Sequence, residues 1–211
     1  MKKLRIGVLA LQGDVSEHVT YFAAAAKDRD GTLEITKVKD PASLDGLHGL
    51  VIPGGETTTM ARLMGEKTET DFGPLQSKIR EMAKEGIPIF GVCAGAILLS
   101  KEILDRPSDN EYRSELNLLD AAFLRNAYGR QRESFEIALT ISALGDRPFA
   151  GVFIRAPQIQ QVGDNVDVLG YLDTNPILVR QENLLAATFH PELTNDYRVA
   201  DYFLTMCANG K

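Results

Sequence analysis

The stretch Ile87-Pro88-Ile89-Phe90-Gly91-Val92-Cys93-Ala94-Gly95-Ala96-Ile97-Leu98 decides how the rest of the chain is read. Up to Cys93 it is short, apolar and without alternation, the pattern of a strand buried on both faces. Beyond Cys93 the sequence predicts a helix from Ala94 to about Leu104. A cysteine at that junction stands on a sharp strand-to-helix turn, where Gly91 and Gly95 remove side chains that would collide. Gly-x-Cys-x-Gly in this setting is the pattern of a nucleophile elbow. Unpaired N–H groups and partial positive charge at a helix start favour thiolate over thiol. Taken alone, the pattern also fits a structural cysteine between packing glycines, so the remainder of the chain has to decide.

Upstream, Leu4–Leu11 predicts a central strand ending at Gln12-Gly13, followed by a helix capped by Asp14 or Ser16 and running to about Lys27. Thr32–Val38 alternates like a strand and is broken by Asp40-Pro41. Gly49–Ile52 is a short strand that runs into Pro53-Gly54-Gly55-Glu56. A helix follows, then a polar excursion from Gly65 to Gly73, then a helix over Leu75–Lys84. Strands alternating with helices predict an α/β fold with a doubly wound, mostly parallel sheet flanked by helices. Downstream, Asp105–Ser114 reads as a surface loop. Phe135–Ile141, Gly151–Ile154, Val166–Tyr171, Ile177–Arg180 and Leu184–Thr188 read as strands of an added β-rich section, and Asp196–Cys207 as a last helix. No linker divides the chain, so residues 1–211 are expected to form a single domain.

Composition narrows the function classes. The 211 residues carry 23 Lys and Arg against 29 Asp and Glu, a net charge of -6 with no basic cluster, which argues against nucleic acid as a partner. The longest apolar run is the elbow itself, too short and too marked by Gly and Pro to span a bilayer. No signal-peptide cleavage pattern follows the first residues. Cys93 and Cys207 make no disulfide framework, and a reactive thiol suits a reducing compartment; the expected location is cytoplasmic.

A cysteine nucleophile needs a base, and the chain offers His18, His48 and His190. His18 falls among polar neighbours on the first helix and His48 in a turn, so both are expected on the surface. His190 follows a buried strand, where catalytic side chains of open α/β sheets gather. If Pro191 keeps the backbone extended, Glu192 points the same way as His190 and fixes its tautomer, which predicts a Cys93–His190–Glu192 triad. The glycines of Pro53-Gly54-Gly55 bring backbone N–H groups close to a ligand. Ala94 N–H and that of Gly54 or Gly55 are thus the expected oxyanion donors.

Together these residues resemble a class I (triad) glutamine amidotransferase, most closely the glutaminase subunits of pyridoxal 5′-phosphate synthases. The matching segments are Gly7-Val8-Leu9-Ala10-Leu11-Gln12-Gly13, Pro53 to Met60, Arg125-Asn126-Ala127-Tyr128-Gly129-Arg130-Gln131, Ser134-Phe135-Glu136, Gly151-Val152-Phe153-Ile154-Arg155-Ala156-Pro157 and Phe189-His190-Pro191-Glu192-Leu193-Thr194. The resemblance implies hydrolysis of L-glutamine through a cysteine thioester, with no metal and no organic cofactor. It implies that Gly55, Glu56, Thr57, Arg125, Ile154 and Arg155 contact glutamine, an arginine fork suiting the substrate's α-carboxylate. It further implies a partner, a (β/α)8-barrel synthase subunit in a hetero-oligomeric complex that receives the ammonia, and a glutaminase that is weak until docked. Thr57 departs from the serine usual in the family, and 65–73 and 105–115 are longer than usual. The alternatives are a glutaminase serving another ammonia-using synthase, a stand-alone γ-glutamyl cysteine hydrolase, and a non-catalytic elbow-cysteine protein. The last lacks the late His-Pro-Glu.

Overall fold

The computed structural model describes residues 3–29, 31–65, 72–104, 116–125, 127 and 134–210. Most of the excursion at 65–73, the loop at 105–115 and much of the 125–131 segment lie outside these residues. The chain runs β1 (Lys3–Leu9), α1 (Val15–Ala25), β2 (Thr32–Val38), β3 (Gly49–Ile52), α2 (Thr57–Met64), α3 (Pro74–Lys84), β4 (Ile89–Val92) and α4 (Ala94–Leu99). It continues with β5 (Ser100–Ile103), β6 (Leu119–Leu124), β7 (Ser134–Leu139), β8 (Phe149–Ile154), β9 (Gln158–Val162), β10 (Asp167–Leu172), β11 (Asn175–Gln181), β12 (Leu184–Ala187) and α5 (Arg198–Asn209).

A seven-stranded sheet in the order β10-β11-β12-β4-β3-β1-β2 forms the centre, parallel from β12 through to β2 and antiparallel at β10 and β11. Its middle strands are apolar at every position because successive side chains enter different cores. Leu50 and Ile52 join the core beneath α2, α3 and α4, while Val51 between them faces the core of α1 and α5. Leu184 and Ala186 divide from Leu185 and Ala187 in the same way. Close packing reaches the backbone at Gly49, where a Cβ would stand 2.4 Å from Cys207 Sγ on α5. Cys207 is buried there, and burial pushes its thiol up to about 12. That is the behaviour of a packing residue.

Two expectations need correction. The elbow helix ends at Leu99 instead of near Leu104: the buried Ser100 hydroxyl donates to the Ile97 carbonyl, and Ser100 opens β5. The second-half strands are not all an added section, because β12 pairs with β4 in the middle of the main sheet. The added part is a three-stranded sheet, β5-β6-β9, and a hairpin, β7-β8. Among the described residues no helix is long and apolar enough to cross a membrane.

Candidate active site

Three turns at the carboxyl ends of β4, β12 and β3 build the site. Cys93 stands between β4 and α4 at φ 50 and ψ -105, a conformation few non-glycine residues adopt and one that costs about 1–3 kcal/mol unless its surroundings enforce it. Here they do: Cys93 N–H donates to the Ala187 carbonyl at 2.8 Å, and Cys93 C=O accepts from Ile97 N–H at 3.1 Å. A Cβ on Gly95 would lie 2.0 Å from the Ile52 carbonyl, so α4 is pressed onto the end of β3. The Ala94 N–H is in the first helical turn, where no intrahelical acceptor exists.

His190 follows β12 by way of Thr188 and Phe189, its N–H donating to the Val152 carbonyl at 2.8 Å. Its ring faces Cys93 on one side and, through Nδ1, hydrogen-bonds Glu192 Oε1 at 2.6 Å on the other. The structure therefore brings Cys93, His190 and Glu192 together, though by a different route from the one expected. Residues 191–193 form a 3-10 turn, with His190 at its start, so Glu192 swings back to the ring through the turn and not along an extended backbone. Burial disfavours charge on His190, but its interactions with Cys93 and Glu192 outweigh it and hold the imidazole up at about 10. Burial likewise works against the Glu192 carboxylate, and the facing imidazoles of His18 and His190, with the hydrogen bond from His190, bring it below the usual range.

Beside the histidine lies the loop Pro53-Gly54-Gly55-Glu56. A Cβ on Gly54 would fall 2.6 Å from His190 Cε1, so only glycine lets the loop and the imidazole approach this closely. The loop hangs on the preceding turn: Asp14 N–H donates to the Gly54 carbonyl at 3.2 Å, and Glu56 N–H to Gln12 Oε1 at 2.7 Å. Gly13, at φ +100, makes this possible, since a Cβ there would lie 1.8 Å from the Gly54 oxygen.

A cleft of about 430 Å³ opens over the sulfur, a size suited to a small molecule. Gly55, Glu56, Thr57, Cys93, Ala94, Arg125, Ile154, Arg155 and His190 line it. Gly54 and Glu192 are not among the lining residues. Arg155 is exposed at φ 43, and Ile154 is 38% exposed, so both face the opening. Glu56 already has a task, because its carboxylate caps α2, accepting from Thr58 N–H at 3.1 Å and from Thr59 N–H and hydroxyl at 2.7 Å each. Burial opposes ionisation there, but these donors hold the carboxyl below the usual range.

Sequence reasoning missed two residues. Asp14 was expected as a helix cap, but it makes no capping bond with its side chain; Oδ2 lies 3.5 Å from His190 Nδ1. His18 was expected on the surface, and it is fully buried behind Glu192. The signal for both lay in their chain position just after the Gln12-Gly13 turn, which the fold places beside the glycine loop. Asp14, His190 and Glu192 are also the one group among the described residues whose donor atoms, all within 4.8 Å, could hold a metal ion. The 2.6 Å hydrogen bond inside the group accounts for its geometry without one.

Asp14 adds a second carboxylate on the face of His190 that Glu192 occupies. Burial raises its carboxyl above the ordinary value, with the nearby His190 charge opposing the shift. Asp14→Asn removes an anion that stabilises the imidazolium, so the alkaline limb of the pH–rate profile is expected to move down by roughly half to one pH unit. An unmoved limb means that solvent screens the 3.5 Å approach.

Residues 8–209 match the profile of the SNO glutamine amidotransferase family. A pyridoxal 5′-phosphate synthase subunit PdxT from Thermotoga petrophila is 46% identical over 203 residues, which cover 96% of this chain and 99% of that one. A PdxT from Geobacillus kaustophilus is 46% identical over 210 residues, 99% of this chain and 97% of that one. A crystal structure of a glutamine amidotransferase superposes with a TM-score of 0.84 at 42% identity, over 96% of this chain and 98% of the other.

Proposed function

The chain belongs to the SNO glutamine amidotransferase family, and on that footing we propose that it acts as a single glutaminase unit of a pyridoxal 5′-phosphate synthase. The observation that carries the chemistry is Cys93 on a strained elbow, beside a buried imidazole that is itself held by a carboxylate at 2.6 Å.

The mechanism follows from this geometry. The Cys93 sulfur, having given its proton to His190, attacks the side-chain amide carbon of glutamine. Charge develops on the amide oxygen, within reach of Ala94 N–H and an N–H of the Gly54-Gly55 loop. His190 passes its proton to the departing nitrogen, which leaves as ammonia, and a γ-glutamyl thioester remains on Cys93. His190 then takes a proton from water, which attacks the thioester; glutamate leaves and the thiol is restored. Glu192 keeps Nδ1 of His190 protonated, so that Nε2 is the nitrogen that exchanges protons with sulfur, amine and water. Arg125 and Arg155 on the cleft wall suit the α-carboxylate of glutamine, and the carboxylate of Glu56 on the rim suits its ammonium.

The attachment of the glycine loop to Gln12 and Asp14 supports control by a partner. Whatever shifts the 12–14 turn also shifts the oxyanion donors, because the two are joined by the bonds at 3.2 and 2.7 Å. The proposed partner is a synthase subunit that takes up the ammonia in the cytoplasm. The test is glutamate release by the chain alone and with a pyridoxal 5′-phosphate synthase subunit added. Stimulation of tenfold or so is expected, as for a site completed by docking. Full activity without the partner points instead to a stand-alone hydrolase, and inactivity in both cases sinks the assignment to this synthase.

A further inference from the structure

We propose that His18 is a positioning residue for this site: its buried ring holds the second oxygen of the Glu192 carboxylate, so that the first stays on His190. The inference rests on the glutaminase reading above.

Buried polar atoms without partners are rare in folded proteins. Among the described residues there are four on side chains, and three of them converge here: His18 Nδ1, His18 Nε2 and Glu192 Oε2. His18 Nε2 lies 3.7 Å from Glu192 Oε2, with both side chains completely shielded from solvent. Glu192 Oε1 is committed to His190, so Oε2 needs a donor, and His18 Nε2 is placed to be that donor. The gap is longer than a hydrogen bond, and a ring shift of about half an ångström closes it.

The placement of the ring is set by α1. The helix packs against the 191–193 turn, and the imidazole stacks on Phe22 one turn later, centroids 6.5 Å apart and planes at 24°. A site that needed only volume would hold leucine or methionine, which leave no buried nitrogen unpaired. Burial pushes His18 below its ordinary value against the pull of the Glu192 charge, so the ring is neutral. A neutral imidazole carries one N–H, and placed on Nε2 it donates to the carboxylate without adding a second cation beside His190. The other charged groups facing the ring are Asp14 and Glu17 from the α1 side and His190 from the turn.

Without this donor, Glu192 is both looser and less stable as an anion, so the imidazolium of His190 loses support. The variants are His18→Leu, which keeps the volume, and His18→Gln, which restores an N–H near the position of Nε2. Both are assayed as the complex with the synthase subunit. In parallel, alkylation of Cys93 by iodoacetamide is followed against pH, which requires no substrate. H18L is expected to lower kcat about tenfold, a small part of the roughly 10²–10⁴-fold that a positioned acid–base group supplies. KM should stay within about twofold, and the onset of alkylation should move to higher pH. H18Q should recover most of both. If H18L does not fold, His18→Asn, whose amide stops short of Glu192, replaces it against H18Q. Wild-type kcat and alkylation profile in H18L overturn the proposal, as does equal loss in H18L and H18Q that tracks their melting temperatures. An inactive wild-type complex would instead overturn the glutaminase reading, and the alkylation profiles would still judge His18.

Discussion

Cys93→Ala should lower glutamate release by about 10⁴-fold or more while the fold remains. The sulfur is the only atom lost. The elbow backbone is held by the bonds from Cys93 N–H to Ala187 and from Ile97 N–H to the Cys93 carbonyl, neither of which involves the side chain. Cys93 is 8% exposed at the floor of the cleft, so truncation costs no more than about 1 kcal/mol, a few degrees in melting temperature for a chain of this size. Glutamine should still bind, because in the proposed binding mode its α-groups meet the cleft wall and not the sulfur. Calorimetric titration of C93A with glutamine checks this. The result separates two readings of the same residue. A merely structural Cys93 would give a variant that loses stability and keeps its rate.

Much of this site was legible because its chemistry is local in the sequence. Gly91 to Gly95 encode a turn, and the roles proposed for Cys93 and Ala94 depend on that turn alone. His190 and Glu192 are close in the chain, and they meet although the backbone between them is a 3-10 turn and not extended. Strands such as Gly49–Ile52 were legible because both of their faces are buried, which leaves an unbroken apolar run.

What the sequence hid depends on partners far along the chain. Leu119–Leu124 contains two alanines and one aspartate, a weak strand signal, and is made a strand by β5 and β9 on either side. Gln158–Val162 is rich in glutamine, and only Ile159 is buried. The elbow helix ends where pairing with β6 takes over, which no helical pattern can announce. His18 was misread for a related reason. Its helical neighbours Glu17 and Thr20 are polar, but the face it shares with Phe22 is covered by a turn more than 170 residues later. Burial of a single polar residue is a property of the tertiary contact. The mark its own helix carries is the spacing of His18 with Tyr21, Phe22 and Ala25 along one buried stripe.

Gly95→Ala should be among the most damaging single-methyl changes in the site. The added Cβ would meet the Ile52 carbonyl oxygen at 2.0 Å and the side chain of Ile52 at 3.0 Å. The neighbour in the way is backbone, so no rotamer change relieves the clash. Either α4 lifts from the sheet or the end of β3 moves by about an ångström. Overpacking of this kind costs about 3 kcal/mol, which lowers the melting temperature by roughly 6–12 °C. The helix gains little in return, since the better helix propensity of alanine is worth at most about 1 kcal/mol. Ile52 leads directly into Pro53-Gly54-Gly55, and Ala94 precedes Gly95, so the clash lies between the two proposed sources of oxyanion donors. Pushing them apart by an ångström is expected to lower kcat about 100-fold even at temperatures where the protein is folded. Activity and melting temperature measured together on G95A test this. A stable variant with normal kcat would mean that the elbow and the glycine loop can separate without cost, and that their close packing does not set the oxyanion geometry.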